Sequence, residues 1–216
     1  MFIIGSYHKT GTVLLSNIFE KLNIVENKKL NYKFYDNFGL CTENEINTQK
    51  CVVIVRNPYE MICSGVRYHQ ISNESWLNEK KDFYKNKSYK EMLLMLDDDD
   101  KILFEMKNCA KYNIDFMYND IKNRNDNNNI LFIKLEELTD NTKLPGLCRK
   151  IIQHIDEEIT YNNFIETCLI CLKFGEEHRT NFDNRYTYIQ TFKNIHYEEF
   201  DKLFPSDLFE KLGYIK

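Results

Sequence analysis

The sequence predicts a three-layer α/β fold in which a central parallel sheet is flanked by helices. Two short, unbroken apolar runs, Phe2-Ile3-Ile4 and Cys51-Val52-Val53-Ile54-Val55, each lead into a small polar turn and then into a helical pattern. A third run, Ile130-Leu131-Phe132-Ile133, follows far downstream, ahead of another amphipathic stretch. Strands covered on both faces read as continuous β-branched runs of this kind. Their alternation with helices calls for parallel pairing. Ligands of such sheets bind beyond the carboxyl ends of the strands.

Taken in order, a strand spans 2–6 and a helix runs from about 11 to 23. A second strand lies near 31–36 and a third at 51–55. Pro58 suits the first turn of a helix from 58 to about 70. Residues 71–100 are irregular and polar but carry Trp76 and several tyrosines and phenylalanines. A long helix is expected from Asp99 to Lys122, with Asp97–Asp100 at its entrance, where negative charge suits the helix dipole; a metal site at these carboxylates is the weaker alternative. The polar loop 123–129 precedes a strand at 130–135. An amphipathic stretch occupies Leu147 to Ile155, and a short helical closure occupies Tyr197 to Tyr214. The 216 residues suffice for one domain with a substantial core.

Chemistry concentrates in the first third of the chain. Gly5-Ser6-Tyr7-His8-Lys9-Thr10-Gly11-Thr12-Val13 joins the first strand to the first helix. Such a turn offers backbone N–H groups and the positive end of a helix dipole, which together favour a phosphate. Lys9 adds a point charge, and Thr10 and Thr12 add hydroxyls. An ordinary turn, with Thr10 or Thr12 as helix cap, is the alternative. The ATP-binding pattern G-x-x-x-x-G-K-[ST] is absent, because Thr10 stands where its second glycine belongs and Lys9 precedes Gly11. The second strand-to-helix turn, Arg56-Asn57-Pro58-Tyr59-Glu60, carries a guanidinium suited to bidentate phosphate contact, with Ser64 further along the helix as another donor.

The core Lys9-Thr10-Gly11-Thr12 after a first strand resembles the 5′-phosphosulfate loop of the PAPS-dependent sulfotransferases (K-[ST]-G-T). Arg56 to Ser64 resembles their 3′-phosphate motif, R-[ND]-P-x-[DE]-x-x-x-S, at the family's spacing. Ile130 to Leu138 resembles a late strand and its Y-E-D-L-like sequel. The resemblance covers most of the chain and implies a P-loop-NTPase-like topology. It implies PAPS as co-substrate, PAP as product and no metal. His8, Lys9, Thr10, Gly11, Thr12 and Val13 would line the 5′-phosphosulfate, with Arg56 and Ser64 at the 3′-phosphate. Lys9 would neutralise charge building on the bridging oxygen and the sulfuryl group.

Two departures from the family stand out. Its general base is commonly a histidine or glutamate near the end of the second strand. Tyr32 to Gly39 has none, which leaves Asp36 as the positional candidate, or else a turn aspartate; His8 is a further candidate, and His69 suits a packing or a surface role. The glycine-rich R-K-G-x-x-G-x-W segment is also missing. Within Glu176 to Arg185, Arg179 or Arg185 is the substitute candidate, unless this is a solvated loop.

Bulk properties narrow the function classes. Net charge is −4, which argues against a general nucleic-acid surface. No apolar run reaches the ~18 residues of a membrane span, and Phe2 to Ile4 is too short for a signal peptide, so a cytoplasmic protein is expected. Seven scattered cysteines suit reduced, buried thiols, and Cys168-Leu169-Ile170-Cys171 reads as core packing. The acceptor that the resemblance implies is a small molecule, carbohydrate or peptide, with the aromatic-rich 71–95 segment as its candidate lining. The competing functions are a small-molecule or nucleoside kinase and a degenerate nucleotide-binding module without a base.

Overall fold

A computed structural model describes residues 1–124, 126–155, 157–174 and 188–216. In chain order the elements begin with β1 (Phe2–Gly5), α1 (Thr12–Val25), β2 (Tyr32–Tyr35), α2 (Glu43–Thr48) and β3 (Cys51–Val55). The chain continues through α3 (Pro58–Ile71), α4 (Ser75–Asn78), β4 (Lys80–Lys81), β5 (Lys87–Ser88), α5 (Tyr89–Met95), α6 (Asp98–Lys107) and α7 (Cys109–Arg124). Then follow β6 (Ile130–Lys134), α8 (Leu135–Thr139), α9 (Leu144–Ile155), α10 (Tyr161–Phe174), α11 (Tyr188–Thr191), α12 (Asn194–Leu203) and α13 (Leu208–Lys211). They group into two compact units. One comprises Met1–Arg56 and the chain from Phe116 through α10, the other Asn57–Asp115 and the chain from α11 onward.

The first unit holds a parallel sheet in the order β2-β1-β3-β6. The expected fold class is therefore present: a central parallel sheet flanked by helices. Every residue of β1 and β3 is buried, as their unbroken apolar runs require. The even-numbered residues Phe2, Ile4, Val52 and Ile54 share one core with Leu15, Ile18, Phe19 and Leu22 of α1, with α9 and with Phe164 of α10. Phe19 joins this core at ring distances of 5.8 Å to both Phe2 and Phe164. Cys168 and Cys171 lie in the same cluster, so the C-x-x-C spelling is core packing. An unforeseen helix, α2, begins in a capping box: Thr42 Oγ1 accepts from Glu45 N–H at 3.3 Å, and the Glu45 carboxylate accepts from Thr42 N–H at 3.0 Å.

The second unit is mainly helical, with a small antiparallel pair, β4-β5. The 71–100 stretch, read as irregular, instead forms short helices around this pair. The helix expected over Asp99–Lys122 is two helices, interrupted at Asn108, whose φ of −117° and ψ of −103° leave the helical region. The Asp97–Asp100 run is a helix entrance: Asp97 Oδ1 caps Asp100 N–H at 2.9 Å, Asp98 pairs with Lys101 at 3.1 Å and Asp99 with Lys193 at 2.5 Å. Tyr89, Leu77 and Leu93 are buried together, with Tyr84 and Phe104 against them. Much of the aromatic content of this stretch is thus core, while Trp76 and Phe83 remain exposed at 38% and 74%. No helix among the described residues is long and apolar enough to cross a membrane.

Candidate functional site

The loop Ser6–Gly11 leaves the carboxyl end of β1, a central strand, and enters α1. Its shape follows from a few short bonds. Ser6 Oγ donates to Thr12 Oγ1 at 3.0 Å, and Ser6 N–H donates to Tyr35 O at 3.0 Å, extending the β1–β2 pairing by one residue. Thr10 Oγ1 accepts from Tyr7 N–H at 2.9 Å and donates to Tyr7 O at 2.8 Å. Thr10 is fully buried, so its hydroxyl closes the turn. Thr12 Oγ1, half-buried, donates to Tyr7 O at 3.2 Å.

Two residues take left-handed backbone conformations, Lys9 at φ 67° and Gly11 at φ 103°. A Cβ on Gly11 would also come within 2.9 Å of Leu135 Cδ1, so glycine is required there for backbone and space together. Gly11 is the N-cap of α1 and no side chain caps that helix. The N–H groups of its first turn, which includes Thr12 and Val13, have no intrahelical acceptors, and they carry the positive end of the dipole. Lys9 and His8, both half-buried, sit at the bend of this loop.

Arg56 immediately follows β3, which pairs with β1. Its Nη1 donates to the Lys9 carbonyl at 3.0 Å. The two motifs noted in the sequence are therefore physically joined: the guanidinium of the second holds the backbone of the first. Asp36 lies at the exposed carboxyl end of β2, and its carbonyl oxygen lies 3.2 Å from Ser6 Oγ. Ser64 lies within α3 in the second unit and is half-buried. Arg179 and Arg185 lie outside the described residues.

A buried anchor fixes the loop from below. Tyr7 is fully buried, and its hydroxyl donates to Asp120 Oδ2 at 2.7 Å. Asp120 Oδ1 in turn accepts from Arg124 Nη1 at 2.6 Å, and Arg124 Nη2 reaches Glu43 of α2 at 2.6 Å. Burial, then the Asp120 charge, push the Tyr7 hydroxyl well above the usual tyrosine range. Burial also raises the Asp120 carboxyl, with Tyr7 and Arg124 pulling against it. The chain carries no pattern that announces this pairing across more than a hundred residues. Tyr7→Phe deletes the donor and leaves a buried carboxylate oxygen short of one bond, which costs about 1–3 kcal/mol. The expected result is a lower urea midpoint at unchanged slope, whereas an unaltered midpoint would remove Tyr7 as the anchor.

Of the packing and surface roles open to His69, the structure shows the buried one, with its Nδ1 2.8 Å from Glu105 Oε2. It therefore lies in a polar network of the second unit's interior.

No family model matches the chain, and no curated protein matches it. Among solved structures the chain is similar to mouse sulfotransferase SULT7A1 complexed with PAP, with a TM-score of 0.61 at 15% identity. The match covers 98% of this chain and 86% of that one. At this identity the likeness carries the fold: the chain has the α/β architecture of that sulfotransferase.

Proposed function

We propose that residues 1–216 act as one sulfotransferase-like domain, moving a sulfuryl group from PAPS to a hydroxyl or amine of a small-molecule, carbohydrate or peptide acceptor and releasing PAP. The observation that carries this is the Arg56–Lys9 clasp. A lysine-bearing anion loop on β1 is tied to an arginine at the end of the adjacent β3, in a chain whose fold is that of a sulfotransferase.

In this scheme the first-turn N–H groups of α1, Lys9 Nζ and Thr12 Oγ1 face the 5′-phosphosulfate. Thr10 and Gly11 shape the loop, and His8 and Val13 flank the group. Arg56 takes the 3′-phosphate, and Ser64 joins it on the strength of the R-[ND]-P-x-[DE]-x-x-x-S spacing. The acceptor oxygen or nitrogen attacks sulfur, its bond to sulfur forms as the bridging S–O bond breaks, and the leaving PAP retains that oxygen. The acceptor's proton goes to Asp36 or His8, a transfer that contributes about 10²–10⁴ in rate where a base is well placed.

Thermal unfolding in the presence of PAP, ADP or ATP tests the reading. A ligand at about 100 times its Kd stabilises by roughly 2.7 kcal/mol, a rise of about 5–10 °C for a chain of this size. The rise is expected with PAP and not with the others, together with sulfate transfer from PAPS. Equal stabilisation by ATP points to the kinase alternative, and PAP binding without transfer to any acceptor points to a degenerate module. Arg56→Ala removes a charge-assisted contact worth about 1.5–3 kcal/mol. PAP affinity should then fall about 10–100-fold, while affinity for adenosine 5′-phosphosulfate, which lacks the 3′-phosphate, falls less, by what the lost contact to the Lys9 carbonyl costs the loop. An equal loss for both ligands removes Arg56 from the 3′-phosphate.

A further inference from the structure

Ser6, the first residue after β1, is fully buried, and its backbone is held on both sides. Its N–H donates to Tyr35 O at 3.0 Å, and its carbonyl accepts from Phe38 N–H at 2.8 Å. The Oγ atom is thereby fixed 3.0 Å from Thr12 Oγ1, 3.2 Å from Asp36 O and 3.4 Å from Tyr35 O. A serine hydroxyl has one proton for these three acceptors. The bond to Thr12 is the shortest of them and takes it.

Thr12, the first residue of α1, is half-buried. Its hydroxyl proton goes to Tyr7 O at 3.2 Å. That carbonyl also accepts from Thr10 Oγ1 at 2.8 Å and from Thr10 N–H at 3.1 Å. A carbonyl oxygen offers two lone pairs, so the Thr12 proton, on the longest of the three bonds, is the surplus donor. It can turn to an anion at the start of α1 and leave Tyr7 O satisfied. Thr12 Oγ1 still accepts from Ser6 Oγ after that turn. The Ser6 bond then holds the oxygen in place and polarises its O–H, since chained hydrogen bonds strengthen one another by about 10–30% per bond.

We infer that Ser6 is a positioning residue of the anion loop: its buried hydroxyl holds Thr12 Oγ1 so that the Thr12 proton is directed at the 5′-phosphate end of PAPS or PAP. This role rests on the sulfotransferase reading above and adds to it a residue that acts only through Thr12. Ser6 touches no part of the nucleotide. Without its donor the Thr12 hydroxyl loses both its restraint and its polarisation, and the phosphate contact weakens.

A double-mutant cycle on PAP binding by the full chain, read by titration calorimetry, tests this. Thr12→Val removes the hydroxyl at nearly constant shape and should weaken PAP binding about 10–100-fold, the usual loss for a bond to a charged group. Ser6→Ala should weaken it about 2–10-fold. In the Thr12→Val background, Ser6→Ala should cost no more than about a further twofold, because its effect passes through the missing hydroxyl. A residue that only shapes the turn would lower affinity by the same factor in both backgrounds. Such additivity, or an unchanged affinity in Ser6→Ala, overturns the Ser6 role alone. A wild-type chain that does not bind PAP overturns the sulfotransferase reading and the Ser6 role with it. If Ser6→Ala does not fold, Ser6→Cys, of similar size and with a weaker donor, takes its place in the cycle.

Discussion

Lys9→Ala is expected to lower sulfuryl transfer from PAPS by about 10²–10³, the usual loss when one preorganised donor to a developing charge is removed. The loop itself should survive. Arg56 holds the Lys9 carbonyl, and the Thr10 hydroxyl closes on Tyr7; neither contact uses the lysine side chain. Alanine inherits the left-handed backbone at a cost close to that of lysine. Melting temperature without ligand should therefore stay within a degree or two, and PAP should still stabilise the protein, though less. A variant that turns over at the wild-type rate removes Lys9 from the sulfuryl group. One that fails to fold shows instead that the side chain is part of the loop's architecture.

Gly65→Ala is expected to destabilise by about 2 kcal/mol or more, although the position lies inside helix α3. Helix propensity alone predicts the opposite, a gain of about 1 kcal/mol. A Cβ at this site, however, would come within 2.7 Å of the Glu105 carboxyl carbon and closer still to one of its oxygens. Overpacking a filled interior costs about 1–3 kcal/mol. Displacing a buried carboxylate from its Tyr89 and His69 partners adds about 1–3 kcal/mol. The steric and polar costs exceed the propensity gain, so the sign is set by Glu105. A fall of about 4–8 °C in melting temperature is expected; a rise would show that Glu105 moves aside freely.

The two strand-to-helix turns were legible because their signals are local. Cys51–Val55 and the Pro58 helix start appear where the apolar run and the proline place them, and Gly11 sits at a position of positive φ where a Cβ would crowd Leu135. Helix α2 was also written in the chain, as the Thr42-x-x-Glu45 capping box, but with only six residues it has too little apolar periodicity to stand out. The strands β4 and β5, two residues each, are too short for any alternation to register. The interruption at Asn108 lies between two sequences that each suit a helix, so nothing in the pattern marks it. Least legible were the long-range polar partners. Tyr7 with Asp120, and His69 with Glu105, are joined by tertiary packing that no spacing rule encodes.

The order of the sheet has a consequence for biosynthesis. Strand β3 pairs with β1 on one side and β6 on the other, yet β6 begins about 75 residues after β3 ends. At about 5–20 residues per second, a ribosome takes about 4–15 s to deliver the missing neighbour. Throughout that interval Cys51-Val52-Val53-Ile54-Val55 is an open sheet edge of uncharged, β-branched residues, the composition that pairs most readily with other nascent chains. Expression yield should therefore depend on how that edge is shielded during translation, and slowing synthesis between residues 56 and 130 should lower the soluble fraction more than slowing it after residue 135.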